Sequence, residues 1–393
     1  MRFTKSQGLT VLAVLAVAPF ASAQTFNDLY NFMGSQDGRH PRSAPILDRD
    51  GNLYGTTYAG GNFDSNGICN YAGCGVVYKI DTAGNETPLY SFNGQPDGAG
   101  LVGGVVSDSS GNLYGTTAYG GTNGYGTVFV IGPAGGEKIL QSFTGGADGG
   151  VPNGGLVIDK KGNLYGTTYV GGSAGLGTVF QVSSTGAFSS LYSFVDSAHG
   201  SHPNATLTLG PDGNLYGTTQ YGGAANRGAV FELDLGSGTE SVLYSFAGMP
   251  DGAYPQGQLV FSGKDIYGTT AEGGLSNNGT VFRLSSASAE AVLHSFGGNP
   301  DGSYPTGGVL LDKAGNIYGT TLHGGSNGVP GSGVVYKIDT SGNETLLYSF
   351  QGSFDGQGPA SSLVLNPAAT ALYGTTVQGG FDCCGVVYSV TLP

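Results

Sequence analysis

The sequence predicts an all-β protein, a seven-bladed β-propeller with four antiparallel strands in each blade, and three observations predict it. Tyr-Gly-Thr-Thr recurs with its tyrosine at Tyr54, Tyr114, Tyr165, Tyr216, Tyr267, Tyr318 and Tyr373, and self-similarity at so regular a spacing marks a repeat array. Each copy sits among four short runs of β-branched and aromatic residues divided by glycine-rich turns, a strand pattern and not a helical one. The outermost runs are also complementary: Leu29 to Phe32 resembles the fourth run of a unit, and Val386 to Val390 resembles a third run that lacks its fourth.

That complementarity separates a ring from an open stack. Pairing the first run beside the last completes a seventh sheet and leaves no orphan edge. A solenoid, with coils of about 20–30 residues and capped ends, gives no reason for such a permutation.

Residues 1–23 read as a secretory signal: Arg2 and Lys5, an apolar stretch from Leu9 to Phe20, then Ala21-Ser22-Ala23 before cleavage at Gln24. Residues 24–393 read as a single propeller domain. No stretch reaches the ~20 apolar residues of a membrane span, and no hydrophobic tail follows Val386 to Thr391. The expectation is a released, monomeric protein, extracellular or periplasmic.

The third unit shows the four strands, A to D, most clearly, as Gly155 to Ile158, Asn163 to Thr168, Gly177 to Val182 and Leu191 to Phe194. The first blade places A, B and C at about 44–80 and D at 89–92. Tyr-Gly-Thr-Thr falls in strand B, where the tyrosine should wedge between sheets and the glycine should let the adjacent backbone approach. A residue type repeated in every blade suits packing better than chemistry.

Glycine accounts for 75 of 393 residues, yet 23 Tyr and 19 Phe are too many for a disordered linker. The formal net charge is −13, and removing the signal takes away two positive charges and no acidic ones. Nucleic acid and anionic membrane are therefore poor partners, since both need clustered Lys and Arg. Cys69, Cys74, Cys383 and Cys384 are an even number in an exported chain and read as disulfides. Cys69 with Cys74 would stiffen a long loop, whereas crossing to Cys383 or Cys384 would staple the ring seam. The local pair is favoured, and Cys383 and Cys384 stay unassigned.

Gly-Thr-Val-Phe at 126–129 and 177–180, Leu-Tyr-Ser-Phe, Asp-Gly, and Gly-Asn-Leu-Tyr-Gly-Thr-Thr followed by Gly-Gly recur in fixed order. Together they resemble the Gloeo/Verruco (GloVer) tandem repeat of the choice-of-anchor GloVer proteins, over essentially the whole mature chain. The resemblance implies an exported bacterial protein, often held at the surface by one of several C-terminal anchors. It brings no known activity or catalytic residue, and no recognisable anchor is present here.

With strand A innermost, the D–A and B–C links share one face. The B–C links vary most, with insertions at Asn62 to Cys74 and Ser326 to Ser332, and variable loops on a rigid frame usually carry binding. The D–A links carry Asp37, Asp97, Asp148, Asp251, Asp301 and Asp355 before glycine, with His199 in the fourth blade. A carboxylate ring could hold a cation, but Asp-Gly is also an ordinary turn. Three residues on, and again before each Gly-Gly, blades 4 to 6 collect aromatic and titratable residues. The candidate ligand-binding set is His199, His202, Tyr221, Tyr254, Glu272, Tyr304 and His323.

Such aromatic faces beside carboxylate and imidazole groups could stack on and hydrogen-bond a sugar. The expected function is a non-catalytic extracellular binding module or scaffold for a glycan or protein ligand. The alternative is a polysaccharide hydrolase or lyase with Glu272 and His323 as acid and base. No nucleophile elbow, zinc-protease motif or phosphate loop appears. No cofactor is expected beyond calcium, and the calcium-like Asp48 to Asn52 lacks the downstream Glu of a calcium loop and reads as a turn.

Overall fold

The computed structural model describes residues 24–63, 67, 69, 72–285, 289–326, 331–381 and 384–392. The signal-like segment 1–23 and Cys383 lie outside the described residues. Seven four-stranded antiparallel sheets form the blades of a propeller. Blade 1 comprises Ile46–Leu47, Leu53–Thr57, Val76–Ile80 and Glu86–Ser91, and blades 2 to 6 repeat that order. Blade 7 takes Val364–Leu365, Ala371–Thr376 and Val386–Thr391 from the chain end and Phe26–Asn31 from its beginning. The register runs antiparallel from Phe26 opposite Val390 to Asn31 opposite Val386, so the ring closes as expected. Among the described residues no helix is long and apolar enough to cross a membrane.

Two boundaries differ from expectation. Strand A is two residues long in six blades and three in the fifth, because inner segments of neighbouring blades converge on the axis. A side chain at Gly103 would meet the backbone of Gly154 and Gly155. Strand D begins earlier than its apolar run and spans six residues, Glu86–Ser91 in blade 1. A register shift separates strands C and D in every blade, as between Val77 and Tyr78. Such a bulge breaks the alternation by which a strand is read.

The core lies between blades. Tyr54 packs against a cluster that joins Val77 and Phe92 of blade 1 to Leu113 and Phe129 of blade 2, so the tyrosine wedges between sheets as expected. The following glycine has a different role from the one expected. A side chain at Gly55 would overlap the ring of Tyr78, its partner on strand C, so the glycine seats an aromatic ring and not a neighbouring backbone. That ring meets the phenylalanine that directly follows strand D of the preceding blade: Phe32 meets Tyr78 at 5.1 Å across the seam, and Phe350 meets Tyr388 at 5.1 Å. The same edge contact recurs at all seven boundaries, each contributing about 0.5–1.5 kcal/mol beyond simple burial.

The two threonines complete the motif. The first reaches the next blade, as Thr56 Oγ1 donates to the Gly103 carbonyl at 3.0 Å. The second closes its own B–C turn, as Thr57 Oγ1 donates to the Ala59 carbonyl at 2.9 Å and accepts from Val76 N at 3.1 Å.

Candidate functional site

The Asp-Gly column is built as a turn. Asp37 accepts from the backbone of Met33 at 2.6 Å and Ser35 at 3.1 Å, and from the Tyr30 hydroxyl at 3.1 Å. Tyr90, Tyr244 and Tyr348 bind Asp97, Asp251 and Asp355 in the same way. In blade 4 Asp196 takes over, accepting from the His199 backbone at 3.1 Å and from its Nδ1 at 2.8 Å. That carboxylate raises the His199 pKa above its ordinary value. The calcium-like Asp48 is likewise saturated within its own turn, by Asp50 N, Asn52 N, Asn52 Nδ2 and the Tyr54 hydroxyl.

Three residues beyond the aspartate column, every blade places a residue in the left-handed region. Gly100 and Gly358 occupy it in blades 2 and 7, but His40, Val151, His202, Tyr254 and Tyr304 occupy it elsewhere, with φ between 56° and 58°. For a residue with a side chain this costs on the order of 1–3 kcal/mol, and the proline that follows each of these five ordinarily favours extended backbone. The position is clamped from both sides. Tyr304 N donates to the Asn278 carbonyl of blade 5 at 2.9 Å, and the Tyr304 carbonyl accepts from Leu322 N of its own blade at 3.0 Å. His40 makes the same bridge across the seam, donating to the Cys384 carbonyl at 2.8 Å.

These residues surround the mouth of an axial channel of about 900 Å³. Each stands two positions before a channel-lining residue: Arg42, Val102, Asn153, Asn204, Gln256, Thr306 and Ala360. The lining is otherwise backbone, hydroxyl, amide and apolar groups; it includes His323 and, among the described residues, holds no carboxylate.

Six of the seven predicted residues fall into two contact groups at this mouth. His202 meets Tyr221 at 5.7 Å and Tyr221 meets Tyr254 at 5.5 Å, edge to face. Tyr304 donates its hydroxyl to Glu272 Oε1 at 3.3 Å and presents its ring to His323 at 5.9 Å. Burial lowers the pKa of both His202 and His323, so both imidazoles are neutral near pH 7. His199 stands apart, held by Asp196 and about half exposed.

Sequence reasoning missed four residues. Tyr169 lies tilted against His202 with ring centroids 4.8 Å apart, the Arg227 guanidinium lies over Tyr254 at 5.2 Å and hydrogen-bonds its hydroxyl, and Arg42 covers Tyr58 at 4.0 Å. Tyr58 and Tyr169 precede the Gly-Gly pair by two residues, one position before the column of Tyr221, Glu272 and His323.

The whole face is distinctive. Met33, Phe63, Tyr119, Tyr125, Val195, Met249, Leu275, Tyr304, Phe354 and Phe381 are exposed and lie in its D–A and B–C links, and among the described residues Val292 alone is an exposed large hydrophobic elsewhere. Every lysine after residue 24 lies outside these links. Enrichment in aromatics, Met and Arg with depletion of Lys is the composition of a contact surface. Cys69 and Cys74 form a disulfide within the long blade 1 loop of this face, the pairing favoured from sequence.

The Gloeobacter/Verrucomicrobia repeat model matches residues 65–282 and 262–393. The chain belongs to that repeat family. No curated protein matches this family member. Among solved structures it is similar to the extracellular domain of a protein assigned as a hybrid two-component system of B. thetaiotaomicron. The TM-score is 0.58 at 11% identity, over 93% of this chain and 39% of that one. A protein of Bacteroides uniformis assigned as a 6-phosphogluconolactonase gives a TM-score of 0.51 at 15% identity, over 76% of this chain and 84% of that one. At such identities these likenesses show the propeller fold alone.

Proposed function

We propose that this family member is an exported, non-catalytic binding module that holds a neutral carbohydrate chain at the channel mouth of its loop-bearing face. The observation that carries the reading is the left-handed column. Five side chains are held there against backbone preference where glycine would serve, and strain of this kind collects at functional positions. The ligand class follows from the groups presented. Aromatic faces stack on the apolar faces of sugar rings, and the neutral amides Asn153, Asn204 and Gln256 offer donors and acceptors to hydroxyls. The acidic net charge disfavours nucleic acid and anionic membrane. Export is supported by the signal-like residues 1–23 and by a disulfide, which persists in oxidising compartments.

A polysaccharide-cleaving reading through Glu272 and His323 is weaker. Tyr304 engages the Glu272 carboxylate, and among the described residues no carboxylate lines the channel, whereas glycoside hydrolysis ordinarily uses a carboxyl pair about 5–9.5 Å apart. Retention of purified protein on a panel of immobilised neutral glycans, with analysis for new reducing ends, tests the reading. Retention without products supports it; cleavage products, or no retention on any glycan, would overturn it.

A further inference from the structure

We propose that the outer edge of the boundary between blades 5 and 6 is a site for a divalent transition-metal ion, Zn²⁺ foremost, held by His294, Asp301 and Glu344. The site uses none of the channel-lining residues and follows from one departure in a repeated pattern. The strand D position that approaches the D–A carboxylate is Tyr30, Tyr90, Gln141, Tyr192, Tyr244 and Tyr348 in six blades, and His294 in the remaining one. A tyrosine there donates its proton to a carboxylate, the aspartate for Tyr30, Tyr90, Tyr244 and Tyr348 and Glu240 for Tyr192; a neutral imidazole offers a nitrogen lone pair.

His294 Nε2 lies 3.2 Å from Asp301 Oδ1 and 4.0 Å from Glu344 Oε1, and one ligand atom from each residue falls within 4.8 Å of the others. Ligands at about 2.0–2.2 Å from a shared tetrahedral ion are about 3.3–3.6 Å apart, so small side-chain movements complete the set. Glu344 Oε1 is buried and has no hydrogen-bond partner. Asp301 Oδ2 is fixed by the Gly297 backbone N–H, which leaves Oδ1 directed at the imidazole. The three side chains keep 16–23% of their surface exposed, enough for an ion to enter.

One imidazole and two carboxylates suit Zn²⁺ or a similar transition ion, with water filling the remaining position. Ca²⁺ prefers six to eight oxygens, and Mg²⁺ parts reluctantly with its waters. Because Glu344 opens strand D of blade 6 while His294 belongs to blade 5, the ion would clip two blades together.

The test uses the mature chain, stripped with chelator and then dialysed against micromolar Zn²⁺. Elemental analysis is expected to find one Zn²⁺ per chain, and the thermal midpoint is expected to rise by roughly 2–4 °C. His294→Tyr restores the residue of the sibling blades and should fold, yet lose both the ion and the shift; Glu344→Gln should weaken binding at least tenfold. Absence of stoichiometric Zn²⁺ in the parent chain, or equal uptake by parent and His294→Tyr, would overturn the proposal.

Discussion

The hydroxyl of Thr375 donates to the carbonyl of Ser43 at 3.0 Å, joining the last blade to the first across 332 residues of sequence. Thr116, Thr269 and Thr320 make the equivalent bond to Gly154, Gly307 and Ser361. Thr218 is the exception, its buried hydroxyl having no hydrogen-bond partner. The repeat therefore supplies its own control. Thr375→Val should lower the unfolding free energy by about 1–2 kcal/mol, whereas Thr218→Val should be within about 0.5 kcal/mol of the parent. Urea titration measures both, and equal losses would remove the hydrogen bond as the cause.

Glycine is the comfortable residue at the left-handed positions, so stability and binding should separate there. Tyr254→Gly combined with Tyr304→Gly is expected to leave the thermal midpoint unchanged or slightly raised, because relief of backbone strain offsets lost packing. Retention on a bound glycan should fall at least tenfold. A fall in midpoint with retention intact would mean that the two rings are structural.

Acidity should matter in a definite direction. Burial, reinforced by Asp37, Asp97 and Asp251 respectively, pushes Glu86, Glu137 and Glu290 up to about 7 from an ordinary 4.5. Between those values the folded chain holds more protons than the unfolded one, so this contribution to stability is present at pH 4.5 and lost as pH rises through 7. His202 and His323, with lowered pKa values, act in the opposite sense below pH 6.5. The thermal midpoint should fall from pH 5 to pH 8, and replacing all three glutamates with glutamine should flatten or reverse that slope. A parent midpoint that rises over this interval would contradict the assignment.

The Cys69–Cys74 bond closes a short loop on the loop-bearing face and crosses no blade boundary. A closure this short contributes at most about 2 kcal/mol to the unfolded-state entropy difference. Cys69→Ser with Cys74→Ser should expose residues 62–73 to limited proteolysis while the remaining propeller resists digestion. Global unfolding of that variant under native conditions would show the loop to be part of the ring's stability.

The spacing of Tyr-Gly-Thr-Thr and the complementary runs at Leu29 and Val386 were enough to number the blades and place the seam, because each blade buries the same faces and must repeat the same residues. Strand D was legible only in part: its bulge breaks alternation, and polar Glu86 starts a strand whose apolar run begins at Leu89. Columns of aligned repeats also pointed to Tyr254, Tyr304 and His323, since a residue that differs from its siblings is free of the shared packing role. What the chain could not reveal on its own was conformation and neighbourhood. The left-handed backbone of Tyr304 is imposed by hydrogen bonds from two blades, and the approach of His294 to Glu344 spans a blade boundary. Both arise from closing the ring, which brings together groups whose separation along the sequence carries no trace of their contact.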